Sequence, residues 1–291
     1  MKRTVILTLL ASLAIISLQA QTKNYMKVEK TDGSFVRMPI DEVKEITFEK
    51  SEVPQVKVFI ANGVEFRMVK VNGGTFQMGS TSGYSDETPV HNVTLSDYYI
   101  GETEVTQELW QAVMGSNPSS FSGAQRPVEK VSWDDCQTFI TKLNQLTGQR
   151  FRLPTEAEWE FAAKGGAQSR GYTYSGSNTI GDVAWYYDNS YALGSSNPNY
   201  GTHDVATKAP NELGIYDMSG NVYEWCQDWY GSYSSSAQTN PTGPTSGSDR
   251  VLRGGGWSSS AEGCRAEYRN KNTPTRRNSY IGLRLALEFS F

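Results

Sequence analysis

The sequence predicts an irregular α+β domain, rich in loops and locked by buried rings, with a small β unit ahead of it. Three observations lead there. First, 16 Tyr, 11 Phe and 7 Trp stand beside 27 Gly and 11 Pro in 291 residues, a composition foreign to a helical bundle. Second, three well-capped helical segments are interleaved with short strand-like runs. Third, after Gly166 the chain turns mostly to Gly, Ser, Asn and Tyr, which favour long loops. Hydrophobic residues make up 37% of the chain, enough for a core of one large or two small domains.

The amino end reads as an export signal. Lys2 and Arg3 precede an apolar stretch over 5–18, and Ala20 offers a small residue for cleavage, although Leu18 is bulky for its place. The stretch is shorter than the roughly 20 residues that a spanning helix needs, no Cys follows it for a lipid anchor, and no later segment is long enough to cross a bilayer. The expected location is therefore outside the cytoplasm, periplasmic or extracellular. Three cysteines, Cys136, Cys226 and Cys264, are too few for a disulfide scaffold, and their odd number leaves at least one outside any intramolecular bridge.

Residues 21–56 form the small unit and its linker. Alternation over 26–29, a turn at Thr31-Asp32-Gly33 and a return over 35–40 describe a hairpin, with one helical turn at 41–44 and a further run at 46–48. The main domain occupies 57–291. Asn62-Gly63 and Asn72-Gly73-Gly74 separate strands at 57–60, 65–71 and 75–78, and another strand follows at 91–95. Thr106 caps a helix over 107–114 that Gly115 stops. Ser132, with Asp135 three places on, caps a second whose face carries Trp133, Cys136, Phe139, Ile140, Leu143 and Leu146, ending at Gly148. Thr155 and Glu158 make a capping box for a third that runs to about Lys164. Strands are expected near 224–229, 250–253 and 281–288.

Several functions are excluded by count or spacing. Lys and Arg total 27 against 31 Asp plus Glu, without clustering, so there is no nucleic-acid footprint. His91 and His203 are the only histidines, too few for a histidine-rich metal site, and each reads as a structural hydrogen-bonding group. No Gly-x-Ser-x-Gly elbow and no phosphate-binding glycine loop is present. Cys136 and Cys226 read as small core residues. The segment Asp217-Met218-Ser219-Gly220-Asn221-Val222-Tyr223-Glu224-Trp225 brackets a tight turn with two carboxylates. A hard cation such as calcium takes six to eight oxygens and accepts backbone carbonyls among them. On spacing alone a solvated polar loop serves equally well.

Ordered motifs then carry a resemblance. Met68-Val69-Lys70-Val71-Asn72-Gly73-Gly74-Thr75-Phe76-Gln77-Met78-Gly79, Glu87-Thr88-Pro89-Val90-His91, Glu104-Val105-Thr106 and Pro127-Val128-Glu129-Lys130-Val131-Ser132-Trp133 come first. Arg152-Leu153-Pro154-Thr155-Glu156-Ala157-Glu158-Trp159-Glu160, the segment 211–225, Arg250-Val251-Leu252-Arg253-Gly254-Gly255-Gly256-Trp257, Asn272-Thr273-Pro274 and Gly282-Leu283-Arg284 follow. From about 58 to 287 the chain resembles the formylglycine-generating, sulfatase-modifying factor family. The small unit ahead of it is similar to leader modules of exported proteins in Bacteroidetes-type bacteria.

The resemblance implies a variant of the C-type lectin-like fold with little regular secondary structure. It implies a structural calcium, with Asp217 and Glu224 as side-chain ligands and Gly220 and Val222 as carbonyl ligands. Family oxidases convert a sulfatase cysteine to formylglycine with oxygen and Cu(I), which two thiolates five residues apart retain. Counted from Gly254-Gly255, those positions hold Ser259 and Cys264, so copper is not expected. The family's active-site tryptophan is Tyr223 here, and Gly256 replaces its serine. The expectation is an exported, non-catalytic binding or assembly module that holds a peptide or glycan, or a protein carrying one, near Tyr223 and Trp257. The alternative is a formylglycine-generating oxidase working through Cys264. An oxidase with histidine-bound iron fails on the count of two histidines.

Overall fold

The computed structural model describes residues 55–288 in full and, before them, the backbone of the strands Leu7–Leu9, Tyr25–Glu29, Phe35–Pro39 and Phe48–Lys50. The chain divides into one unit of residues 1–54 with 290–291 and another of residues 55–289. In the first, Tyr25–Glu29 and Phe35–Pro39 pair antiparallel as a hairpin, and Leu7–Leu9 runs parallel to Phe48–Lys50. The turn at 31–33, the helical turn at 41–44 and the remainder of the signal lie outside the described residues.

In the second unit the helices begin and end where their caps dictate. Thr106 accepts a hydrogen bond from Leu109 N to open α1 (Gln107–Met114), and Gly115 closes it in the left-handed conformation. Capping boxes at Ser132/Asp135 and Thr155/Glu158 open α2 (Trp133–Thr147) and α3 (Glu156–Ala163). Trp110 of α1 stacks on Phe139 of α2 with centroids 4.8 Å apart. Leu146, assigned to the apolar face of α2, is 49% exposed: it sits in the last turn, past the end of the packed surface.

Three sheets surround these helices. The largest is antiparallel, with the strands Phe151–Arg152, Ala286–Glu288, Tyr98–Gly101, Val64–Val71 and Val56–Ala61 in that order. Tyr98–Gly101, which sequence reading omits, sits in its middle with all four residues buried. A strand covered on both faces loses the alternation by which strands are recognised. The second sheet orders Asn270–Asn272, Arg250–Arg253, Tyr223–Trp229 and Ile281–Gly282. The third contains Gln238–Thr239, His91–Leu95 and Gly74–Met78. The expected strand over 281–288 is two strands, because one apolar run serves two sheets and the chain between them turns Arg284 inward.

All eight residues of α3 are buried, yet three of them are glutamates. Each meets an arginine. Glu158 takes a two-pronged bond from Arg152 at 2.6 and 2.7 Å. Glu156 takes one from Arg269 at 2.7 and 2.9 Å, with Arg253 3.2 Å away. Glu160 accepts from Arg253, from Lys164 at 2.8 Å and from Gly79 N at 2.8 Å. A bound cation keeps a buried carboxylate ionised where desolvation would neutralise it, and Glu160 is held below its usual range by Lys164 and Arg253 despite complete burial. Arg253→Met should lower unfolding free energy by roughly 3–5 kcal/mol, because it strands charge in the core. Arg253→Met with Glu160→Met should recover part of that loss. Urea unfolding followed by tryptophan fluorescence reads both.

Candidate functional site

The turn over 217–224 requires left-handed backbone at three places: Asp217 (φ 58°), Gly220 (φ 84°) and Asn221 (φ 58°). At Gly220 a side chain is also sterically impossible, since a Cβ would lie 2.3 Å from the Trp185 carbonyl oxygen. Asn221 holds the turn closed by accepting from His203 N at 3.0 Å and donating to Glu104 Oε2 at 2.7 Å. Val222 N donates to Glu104 Oε1 at 3.0 Å, and Ala206 N donates to Asp217 Oδ2 at 2.7 Å. Glu224 is fully engaged. Arg284 donates to both its oxygens, at 2.7 Å from Nη2 and 3.0 Å from Nε, and Trp159 Nε1 donates to Oε2 at 2.6 Å.

Three buried carboxylates, Glu104, Asp217 and Glu224, thus gather around one buried guanidinium, Arg284. Burial raises Asp217 to about 6, and burial with the Asp217 and Glu224 charges pushes Glu104 well above the carboxylate range. The Gly220 and Val222 carbonyls accept no hydrogen bond from the described residues. Among those residues no three His, Cys, Asp or Glu side chains form a metal cluster by themselves, so a cation here would depend on backbone oxygen as well.

Beside this turn the chain runs through Gly254-Gly255-Gly256 to Trp257 and the short 3-10 helix Glu262–Cys264. Cys264 is fully buried, and burial pushes its thiol up to about 12. Its sulfur packs under Gly255, where a Cβ would come within 2.7 Å of it. Ser259 instead accepts from Gly256 N at 3.0 Å and adjoins the Tyr223 hydroxyl, which burial raises to about 12. All three cysteines are free and buried. His91 Nδ1 donates to the Pro89 carbonyl oxygen at 3.0 Å. The His203 ring lies flat on Trp185 with centroids 3.6 Å apart. Burial, with Arg126 and Lys208 close by, lowers it to about 4.

Trp257 anchors an aromatic cluster. Phe121 meets it edge-on at 5.0 Å, Tyr200 at 4.9 Å and Tyr191 at 5.6 Å, and its own Nε1 donates to Ser279 O at 3.0 Å. Phe121 is held in place by Glu129, whose Oε1 accepts from the amides of Ser120 and, at 2.8 Å, Phe121.

Residues 59–289 match the family described as the sulfatase-modifying factor enzyme 1-like domain. The chain belongs to this family. Among its relatives, a protein named chaperone protein LppX from Paenibacillus barcinonensis is 40% identical over 70% of this chain and 83% of its own length. The formylglycine-generating enzyme of Streptomyces coelicolor is 29% identical, over 75% of this chain and 88% of its own. A serine/threonine-protein kinase pkn1 from Chlamydia pneumoniae is 36% identical over 75% of this chain, which spans 37% of that protein. The solved structure of Treponema denticola variable protein 1 superposes with a TM-score of 0.73 at 38% identity, covering 81% of this chain and 100% of that one. PvdO from Pseudomonas aeruginosa gives 0.64 at 27% identity, over 82% and 100%. The fold is accordingly the C-type lectin-like variant of the sulfatase-modifying factor type.

Within the sulfatase-modifying factor domain, the structure unites Asp217, Gly220, Val222 and Glu224 in one turn and sets Tyr223 beside Ser259. Sequence reading missed Glu104 and Arg284 as partners of the turn, though both lie in motifs that carried the resemblance. It also missed Phe121, Tyr191 and Tyr200, which no spacing links to Trp257. Glu129 gives a test of the aromatic anchor. Its burial raises it to about 7 from 4.5, against the two amides that favour its charge, and Oε2 has no partner. The folded chain holds this proton to about pH 7, while the unfolded chain releases it near pH 4.5, so its contribution is complete below 4.5 and is lost as pH rises through 7. Relative to Glu129→Gln, the wild type should lose roughly 1–2 kcal/mol between pH 5 and pH 8, allowing for solvent screening. Urea titrations at the two pH values measure the difference.

Proposed function

We propose that this chain is an exported binding member of the family that holds a segment of another polypeptide at the face around Tyr223 and Trp257, without oxidase chemistry. The observation that carries this reading is the state of Cys264: a fully buried thiol raised to about 12, packed under Gly255, with a hydroxyl at Ser259 where the second soft ligand belongs. A Cu(I) ion needs accessible thiolates, and these residues do not fit one. Support for a polypeptide partner comes from the chaperone-named relative, which is 40% identical and aligned over 83% of its length. Among the described residues no helix is long and apolar enough to cross a membrane, and the charged, apolar and small residues of positions 2–20 supply the export reading.

A structural calcium at the 217–224 turn belongs to the same proposal. Three carboxylates against one guanidinium leave negative charge in the core, and two carbonyls stand without donors. Asp217 with the Gly220 and Val222 carbonyls would hold the ion. Glu104 would supply further negative charge, and Glu224 would contribute mainly through its field, since Arg284 and Trp159 occupy its lone pairs. When bound, the ion would neutralise the turn and stiffen the backbone that carries Tyr223.

Two experiments test the reading. Purified protein incubated with Cu(I), oxygen and a peptide containing Cys-x-Pro-x-Arg should give no thiol-to-aldehyde mass loss. Conversion by the wild type that disappears in Cys264→Ala would restore the oxidase. For calcium, EDTA should lower the wild-type melting temperature by several degrees, as expected for losing a ligand worth about 2–3 kcal/mol at saturation. Asp217→Asn should weaken that sensitivity and is a cleaner probe than Glu224→Gln, which also disrupts the Arg284 pair. A wild-type melting temperature indifferent to chelation would leave a polar turn and no calcium.

A further inference from the structure

The largest sheet ends on the strand Val56–Ala61, which pairs with Val64–Val71 on one side and with no strand on the other among the described residues. Asn62 and Gly63, both left-handed at φ 47° and 85°, close the hairpin between them, and the register runs without a shift from Ala61 opposite Val64 to Val56 opposite Val69. In an antiparallel pair closed by such a two-residue turn, the residues flanking the turn exchange both backbone bonds, and so does every second residue beyond them. Ala61, Phe59 and Lys57 therefore turn their N–H and C=O groups to the neighbouring strand. Val56, Val58 and Ile60 turn theirs to the open side, where they enter no other backbone bond among the described residues.

An edge of this kind pairs with another strand unless a charge, a proline, a bulge or a covering segment blunts it. The strand has no Pro and no bulge. Its one charge, Lys57, lies on the opposite face from Val58 and Ile60, with Nζ 4.4 Å over the Tyr99 ring. Ile60, 64% exposed, and Val58, 51% exposed, are the two most exposed large apolar side chains of the described residues. Open backbone groups and bare apolar side chains thus fall on the same three alternate residues.

The occupant follows from the pattern behind those side chains. The register sets Arg67 beside Val58 and Glu65 beside Ile60 on the same face, and all four are exposed. The edge is therefore self-complementary. A second copy of the strand, antiparallel and centred on Phe59, sets its Ile60 opposite Val58 and its Val58 opposite Ile60, both as hydrogen-bonded pairs. Across the two copies one row reads Arg67, Val58, Ile60, Glu65, and the two-fold axis repeats it in reverse. Each apolar side chain meets another, and each row ends in opposite charges. Centring the pair on Val58 instead would end one row in two arginines. A two-fold pair is closed and leaves no further edge at this side of the sheet.

We infer that the strand Val56–Ala61 is a docking surface for a second copy of this chain, the two strands pairing antiparallel about Phe59 and joining the largest sheets of both copies. The inference does not rest on the polypeptide-binding reading above.

Sedimentation velocity of the full mature chain over about 1–200 µM should show a monomer–dimer equilibrium, the range in which a small interface acts. Ile60→Lys and, separately, Val58→Lys bring a charge against an apolar partner and should weaken dimerisation about tenfold or more. Both side chains are exposed in the single copy, so at about 1 µM both variants should melt with the wild type, which separates lost pairing from lost folding. For the register, an equimolar mixture of Val58→Cys and Ile60→Cys chains should cross-link with a short bis-thiosulfonate faster than either alone. The native cysteines are buried and stay out of that reaction. A wild type monomeric throughout the range would overturn the inference, and so would a dimer indifferent to both lysine variants. Faster cross-linking of Val58→Cys alone would overturn the pairing about Phe59. A monomeric wild type with a melting temperature that falls in Ile60→Lys would also overturn it, showing an edge covered from within the same chain.

Discussion

A helix buried on every side that carries three carboxylates can exist only if cations are delivered to it, and this requirement organises the domain. Glu156, Glu158 and Glu160 lie on α3, while Arg152 precedes it and Arg253 and Arg269 arrive from about a hundred residues downstream. Those arginines belong to or border the strands Arg250–Arg253 and Asn270–Asn272. Docking the second sheet on α3 and neutralising α3 are therefore one event. Removing any one partner leaves an ion in the core, so the cost of an incomplete fold is high. Trp159 and Tyr233 line the same network, with Arg253 over the Trp159 ring at 5.5 Å and Arg269 over the Tyr233 ring at 3.9 Å, which shields the ions from water.

The same matching recurs at the turn over 217–224, with a different balance. Arg284 comes from the chain between two sheets and serves Glu224, the Gly101 carbonyl and the Tyr216 carbonyl together. Glu104 and Asp217 share that one cation, and this shortage of positive charge, which with burial raises both carboxyls, distinguishes the turn from the paired network around α3. The turn nonetheless sets the geometry around the buried Tyr223 and Trp257. It feeds directly into Tyr223–Trp229, and the bond from Trp257 N to Asn221 O at 2.7 Å ties the Trp257 cluster to it. Order in the Trp257 cluster and order at the turn are thus mechanically joined.

Cys264 belongs to the packing between two turns. Cys264 fills space under a left-handed Gly255, where any larger neighbour would collide with the sulfur. Ser219 Oγ donates to the Cys264 carbonyl at 2.8 Å, so the residue also helps to hold the 262–264 turn against the 217–224 turn. A sulfur so placed contributes dispersion and burial, and its high pKa follows from that burial.

The sequence by itself determined the local decisions. Capping residues set the start of the three longest helices, and Gly115 and Gly148 set two of their ends, because a cap hydrogen bond or a left-handed residue acts within a few positions. Alternation placed the strands that are covered on one face, His91–Leu95 among them. Motif spacing identified the family and collected Asp217, Gly220, Val222 and Glu224, since one turn contains them all. Only the tertiary structure decided the rest. The central strand Tyr98–Gly101 is buried on both faces and carries no alternation. Glu104 reaches Asn221 across 117 positions, Arg253 reaches Glu160 across 93, and Phe121 meets Trp257 from the far side of the sequence. Whether Cys264 is a reagent or a filler depends on the atoms above its sulfur, and those come from packing. Burial, charge balance and ring contact are properties of space between distant segments, and no periodicity along one chain encodes them.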